Sequence, residues 1–327
     1  MSYAQYLKAL GSNDGSEADL SEHDAQLLFG AMLDGGVPEL ELGALLMALR
    51  MKTATLSELA GFAGALNERL FRLAVPHAKA LPVVLPSYGG GRDQPNLLPL
   101  LALLLQRFGV PVLVHGPLHG EGGIASAYVF RELGVMPCAN LAQAQDVLGA
   151  AGIAFVPTAV LAPGLAELLA LRGRMGVRTM AHKVARLLDP FEGESLRVVG
   201  VERPSALELT REFLLAAGAH SLLLLGAQGE PYADPTNRPR IEHLFEGNAD
   251  VLFEAETAAL KKIATLPENV NAASTADWIR RALAGETPVP LPLVNQLATC
   301  LFAAGYTTDM NQAKAIVAVE TGSLAAA

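Results

Sequence analysis

Val83-Val84-Leu85-Pro86-Ser87-Tyr88-Gly89-Gly90-Gly91 is a short apolar run that breaks into a glycine turn. A helical pattern follows from Pro95 to Phe108, then a second apolar run, Val112-Leu113-Val114, with a turn at His115-Gly116. The alternation recurs downstream, where Ile153 to Val156, Leu196 to Val201 and Leu222 to Leu225 are apolar runs separated by helical pattern. Continuously apolar strands that alternate with helices need cover on both faces, which is the condition of a mostly parallel sheet flanked by helices. Ligands of such sheets lie beyond the carboxyl ends of the strands. The loops at 86–93, 115–123 and 226–235 are therefore expected around one site.

Upstream the pattern is helical. Ser21 with Asp24 three residues on reads as a helix start, and Ala25, Leu28, Phe29 and Met32 fall on one face. Gly35 and Gly36 can end that helix, Pro38 opens the next, and Thr55 with Glu58 forms a capping-box pattern for a third. The expected organisation is α/β: a small all-helical domain over 1–76, joined by helices near 168–188, and a larger α/β domain over 77–327. Leu27, Leu40 and Phe62 lie beyond a single apolar stripe and are expected at the surface, where a homodimer would form. Pro288, Pro290 and Pro292 make a stiff connector before a final helix pair.

Hydrophobic residues make up 51% and charged residues 17%, which excludes global disorder. The net charge of -9 repels nucleic acid on average but leaves room for a local basic patch. Only two cysteines occur, Cys138 and Cys300, so neither a disulfide framework nor zinc-ligand spacing is present and no metal is expected. His115 and His119 are too irregularly placed for a metal site and are expected to be hydrogen-bonded loop residues. No signal peptide or membrane-length apolar run is visible, and the expected setting is the cytoplasm without membrane contact.

Several segments resemble the anthranilate phosphoribosyltransferase family (glycosyltransferase family three, nucleoside phosphorylase fold). They are Leu33-Asp34-Gly35, Leu45 to Lys52, Glu58-Leu59-Ala60-Gly61, Val114-His115-Gly116, Leu133-Gly134-Val135, Gly176-Val177-Arg178-Thr179 and Val199-Gly200-Val201. The resemblance implies that family's fold and its homodimer. It also marks departures. Where the family has Gly-Thr-Gly-Gly-Asp to cradle a diphosphate, this chain has Ser87-Tyr88-Gly89-Gly90-Gly91. Pro117-Leu118 replaces Asn-Arg, and Gly226-Ala227-Gln228-Gly229-Glu230-Pro231-Tyr232 replaces the loop that carries the magnesium-binding Asp-Glu pair. Pyrophosphate displacement depends on charge neutralisation and positioning, so the altered motifs imply a transferase site without catalytic residues, metal or cofactor. What remains is a residual anion loop of Ser87, Tyr88, Gly89, Gly90, Gly91, Arg92, Asn96, His115 and Gly116. The Ser-Tyr-Gly loop is similar to that of the YbiB branch of the family, which implies a homodimer that binds DNA without regard to sequence. An active glycosyl- or phosphoribosyltransferase with an altered donor or acceptor is the alternative.

One charge asymmetry fits the first of these readings. Leu168 to Leu188 carries five cations, Arg172, Arg174, Arg178, Lys183 and Arg186, with His182 beside them and no acid, whereas residues 1–67 carry three Lys/Arg and nine Asp/Glu. Such a cluster suits the phosphates of DNA or RNA, and at helical spacing Arg178, His182, Lys183 and Arg186 would share one face. The competing reading is a solvated face, or arginines paired with acids elsewhere. Lys261-Lys262 and Arg280-Arg281 are read as solvated pairs.

Overall fold

The structure, a computed structural model, describes residues 2–11, 19–120, 122–256, 266–267 and 269–322. Lys261-Lys262 lies outside the described residues. The chain divides into two compact units, Met1–Phe71 with Thr158–Leu188, and Arg72–Pro157 with Asp189–Ala327.

The first unit is helical. It opens with a helix absent from the sequence reading, α1 (Tyr3–Leu10), capped reciprocally by Ser2 and Gln5. Two buried side chains, Tyr6 and Leu10, are too short a pattern to betray it. The next three helices are α2 (Glu22–Leu33), α3 (Glu39–Met51) and α4 (Leu56–Asn67), with the expected caps at Ser21 and at Thr55 with Glu58. Phe62 corrects an expectation: it is fully buried against Phe29, ring centroids 5.2 Å apart, while Leu27 and Leu40 are exposed. The reason is that α4 turns its Phe62 face onto α2, where Gly61 lets the backbones meet. A Cβ at Gly61 would stand 2.2 Å from the carbonyl oxygen of Glu22. The buried Lys52 is matched by Glu58 at 2.5 Å and Asp19 at 2.7 Å, and Glu58 also accepts from the Leu20 amide at 2.9 Å.

The second unit holds a seven-stranded sheet of order β3-β2-β1-β4-β5-β6-β7. The first five strands are parallel: β1 (Val83–Pro86), β2 (Val112–Gly116), β3 (Ile153–Pro157), β4 (Leu196–Val201) and β5 (Ser221–Leu225). They match the apolar runs, and β1, β2, β3 and β5 are buried almost throughout. An antiparallel pair, β6 (Ile241–Phe245) and β7 (Asn248–Phe253), extends the edge beyond the sequence reading. Polar residues disguise it. Glu242 is buried in β6 only because Arg211 donates to it at 2.6 and 2.7 Å and Arg240 pairs at 2.8 Å. The final helix pair, Leu291–Ala303 and Met310–Glu320, places Leu293, Leu297 and Leu301 in one core with Val83, Leu85, Leu222 and Leu224. Both cysteines are buried, and burial raises both thiols, Cys300 to about 12, which suits inert packing.

The backbone contact at Gly61 sets a stability test. Gly61→Ala should destabilise the chain by about 1–3 kcal/mol, because backbone must shift to admit the methyl group. Gly43→Ala in α3 meets nothing within 4 Å. It should instead stabilise by up to about 1 kcal/mol through helix propensity. Urea denaturation followed by circular dichroism separates the two; equal effects would show that the contact carries no strain.

Candidate functional site: a plugged glycine loop and a basic segment

The three loops expected at the carboxyl ends of the strands do meet. Gly91 and Ile124 exchange backbone hydrogen bonds at 2.9 and 2.6 Å, and a Cβ at Gly116 would stand 2.1 Å from the Ser87 carbonyl oxygen. Ser87 and Asn96 are buried and joined through Ser126, with Ser87 Oγ 2.7 Å and Asn96 Nδ2 2.9 Å from its Oγ. Asn96 Oδ1 accepts from the Leu98 amide at 3.2 Å, two residues on, in the turn that leads into the helix Leu98–Arg107. Tyr88 is buried too, its hydroxyl 2.9 Å from Nδ1 of His115. His119 makes a similar contact with Tyr128 at 2.8 Å.

The glycine loop differs from its sequence reading in what its amides do. Gly89 and Gly90 both donate their N–H groups to Oε1 of Glu230, the second at 2.8 Å. Gly91 donates to Ile124, and Arg92 and Asp93 donate to Oε1 of Gln228 at 2.7 and 3.2 Å. The Arg92 guanidinium pairs with Glu202 at 2.7 Å. The amides of Gly89, Gly90, Gly91 and Arg92, expected in the anion loop, and that of Asp93 after them are thus engaged by the chain itself. Glu230 is fully buried, and a buried carboxylate is tolerated only where donors replace its water. The nest of successive N–H groups supplies them.

The loop around Glu230 is held on both sides. Gln296, buried in the helix Leu291–Ala303, donates to the Pro231 carbonyl at 2.9 Å and accepts from the Ala233 amide at 2.7 Å. Tyr232 is fully buried and donates to the Pro95 carbonyl at 3.1 Å; burial and the nearby Glu230 charge push its phenol well above the usual range. Asp234 accepts from the amide and hydroxyl of Thr236 at 2.7 and 2.5 Å. Among the described residues no three His, Cys, Asp or Glu side chains gather as a metal site. Glu230, Gln228 and Gln296 were missed in the sequence as site residues; the one signal was an acid lodged between Gly229 and Pro231.

The basic segment lies within the helical unit. It is two short helices, Arg172–Met175 and Met180–Ala185, broken at Gly176, whose φ is 71°. That break corrects the single-face expectation, because Arg178 lies between the helices. Arg174 is exposed and paired with Glu39 at 3.2 Å, and Arg50 donates to the Arg178 carbonyl at 2.5 Å. Lys183 is exposed, while Arg172, Arg178 and Arg186 are half-buried. His182 requires a second correction. It is buried, and its Nδ1 accepts from the Thr179 amide at 3.1 Å, so it serves as a neutral helix cap. Burial, and then the charges of Arg178, Arg172 and Arg186, hold its imidazole down to about 3. The three guanidinium charges thus act on a group that burial already holds neutral.

This arrangement defines a phosphoribosyltransferase-type chain: a helical bundle, a largely parallel sheet and a glycine loop facing a second loop at the strand ends. A glycosyl transferase family helical bundle domain matches residues 4–70. The chain is 38% identical over 318 residues to the uncharacterized protein YbiB of Escherichia coli, covering 97% of this chain and 99% of that one. It is 28% identical over 316 residues to an anthranilate phosphoribosyltransferase of Methylocella silvestris, covering 95% and 90%. The crystal structure of the Thermus thermophilus anthranilate phosphoribosyltransferase superposes with a TM-score of 0.76 at 24% identity, covering 99% and 95%, a likeness of fold. The chain belongs to the YbiB-like branch of the anthranilate phosphoribosyltransferase family.

The neutral His182 makes the helical unit sensitive to acid. Its folded-state value lies below the unfolded 6.5, so its contribution is present above pH 6.5 and is lost as pH falls through that value toward about 3. Between pH 6.5 and 5 the parent should lose about 1 kcal/mol per pH unit more than His182→Asn, which keeps an acceptor and cannot ionise there. His220 and His243, lowered chiefly by burial, contribute equally to both chains. Urea midpoints across that window measure the difference, and parallel curves would place His182 in solvent.

Proposed function

We propose that a homodimer of this chain binds the phosphate backbone of DNA without regard to sequence, through the basic segment of its helical unit. The observation that carries the reading is the run of five cations from Arg172 to Arg186 with no acid among them, in which Lys183 and Arg174 are exposed. Such crowding of like charge raises the local potential and favours an anion there, even in a chain of net charge -9. The glycine loop supports the same reading from the other direction, because its amides are engaged by Glu230 and Gln228, and Gln228, Pro231 and Tyr232 stand where the family's acidic loop is expected. On this reading the chain turns over no phosphoribosyl diphosphate. Exposed Leu27, Leu40, Met47 and Met51 on α2 and α3 support pairing of two copies through the helical unit. No helix among the described residues is long and apolar enough to cross a membrane.

Affinity for a generic duplex should fall linearly in log-log form as salt rises. Replacing Arg178, Lys183 and Arg186 together by Ala should reduce that slope by about two to three units, one per phosphate contact. Arg280→Ala with Arg281→Ala is the control, since Arg280 pairs with Asp277 and Arg281 with Glu286 at 3.6 Å. Fluorescence anisotropy on DNA and RNA duplexes reads both; an unchanged slope in the triple variant would remove the basic segment from the interface. Steady, chelator-sensitive turnover of phosphoribosyl diphosphate would favour the alternative, a transferase with an altered donor or acceptor.

Assembly is tested by sedimentation at micromolar concentration. The parent should run as a dimer, and Leu40→Glu with Met51→Glu should run as a folded monomer. A monomeric parent would leave the exposed apolar positions without the proposed role.

A further inference from the structure

We infer that Glu230 is an internal ligand of the glycine loop, a specificity-determining residue whose carboxylate occupies the amide nest of Gly89 and Gly90 and excludes phosphate groups from it. Two oxygen anions cannot use the same pair of N–H donors. A phosphate or diphosphate entering this loop must displace Glu230 Oε1 from both amides. The carboxylate is well suited to the place: it is fully buried, and a buried ion that lost its donors would carry a penalty of several kcal/mol, on the order of that for any unpaired interior charge.

The backbone geometry is built around this contact. A Cβ at Gly89 would lie 2.9 Å from Glu230 Oε1 and 2.7 Å from the Gln228 carbonyl oxygen, so only glycine admits the strap. On the sheet side a Cβ at Gly200 would lie 2.3 Å from the Glu230 carbonyl oxygen. Gln228 takes a left-handed backbone, φ 54°, uncommon for a residue with a side chain. That conformation accompanies the reach of its amide oxygen to the next two loop amides, Arg92 and Asp93. Gln296 and Tyr232 anchor the far side of the strap. The glycine loop is therefore neither an empty turn nor an open phosphate cradle. It is a cradle filled by its own chain, and external phosphates are left to other surfaces. The inference holds or fails independently of DNA binding, because it concerns the α/β unit alone.

Inorganic diphosphate is the probe, titrated calorimetrically into the full chain. The parent should show no binding at millimolar diphosphate. Glu230→Ala should bind it at least tenfold more tightly than the parent does, and diphosphate should restore part of its lost melting temperature where chloride at equal ionic strength does not. Glu230→Gln, which keeps the oxygen and loses the charge, should fall between the two, and it decides the matter if the alanine variant does not melt cooperatively. A bracing role alone would lower stability without creating an anion site. Folded variants that bind no diphosphate would overturn the inference. So would a parent that binds it, read directly as diphosphate-induced shifts of the Gly89 and Gly90 amide signals by nuclear magnetic resonance.

Discussion

Burying the Glu230 carboxylate constrains everything around it. The group has no exposed surface, and its solvation must come from fixed donors. The structure supplies two successive amides of the glycine loop, which only a loop without side chains at that point can aim together. The strap that carries Glu230 then lies against Gly200 on β4, where any side chain would collide with it. Gln296, 63 positions from Ala233 along the chain, becomes a site residue because the strap's own backbone groups at Pro231 and Ala233 need partners.

The two units deal with charge by different means. In the α/β unit the buried acids are matched by donors: Glu230 by amides, and Glu242 by Arg211 and Arg240. In the helical unit Lys52 and Glu58 are buried as a pair with Asp19. In the segment 172–186 Arg174 pairs with Glu39, and His182 is held neutral by burial and then by the charges of Arg178, Arg172 and Arg186. A helix cap and a cluster of arginines thus occupy the same few residues. The cap needs an imidazole nitrogen that can accept, and burial, then the surrounding charge, keeps it neutral.

With Pro231 and Tyr232 in the loop, the strap turns inward: the Tyr232 hydroxyl donates to Pro95, and the acid one step before the proline reaches the glycine amides. Asp234 accepts from Thr236 within its own turn and from Gln94 Nε2 at 3.5 Å.

The parallel strands were legible in the sequence because burial on both faces demands continuous apolar runs, and the caps at Ser21 and Thr55 were legible because they are local chemistry. The meeting of the loops at 86–93, 115–123 and 226–235 followed from the same alternation. The edge strand β6 was not legible, since its buried Glu242 depends on an arginine from a different element. Phe62 and His182 were misplaced for a related reason: periodicity says that a residue lies on a face, while which face is buried depends on the neighbour, α2 in one case and the fold of the basic segment in the other. The sequence by itself determined the strands, the caps and the positions of the glycines. Only the tertiary structure decided that Glu230 fills the glycine loop, because 140 residues separate it from Gly90 and no local pattern records a hydrogen bond closed at that distance.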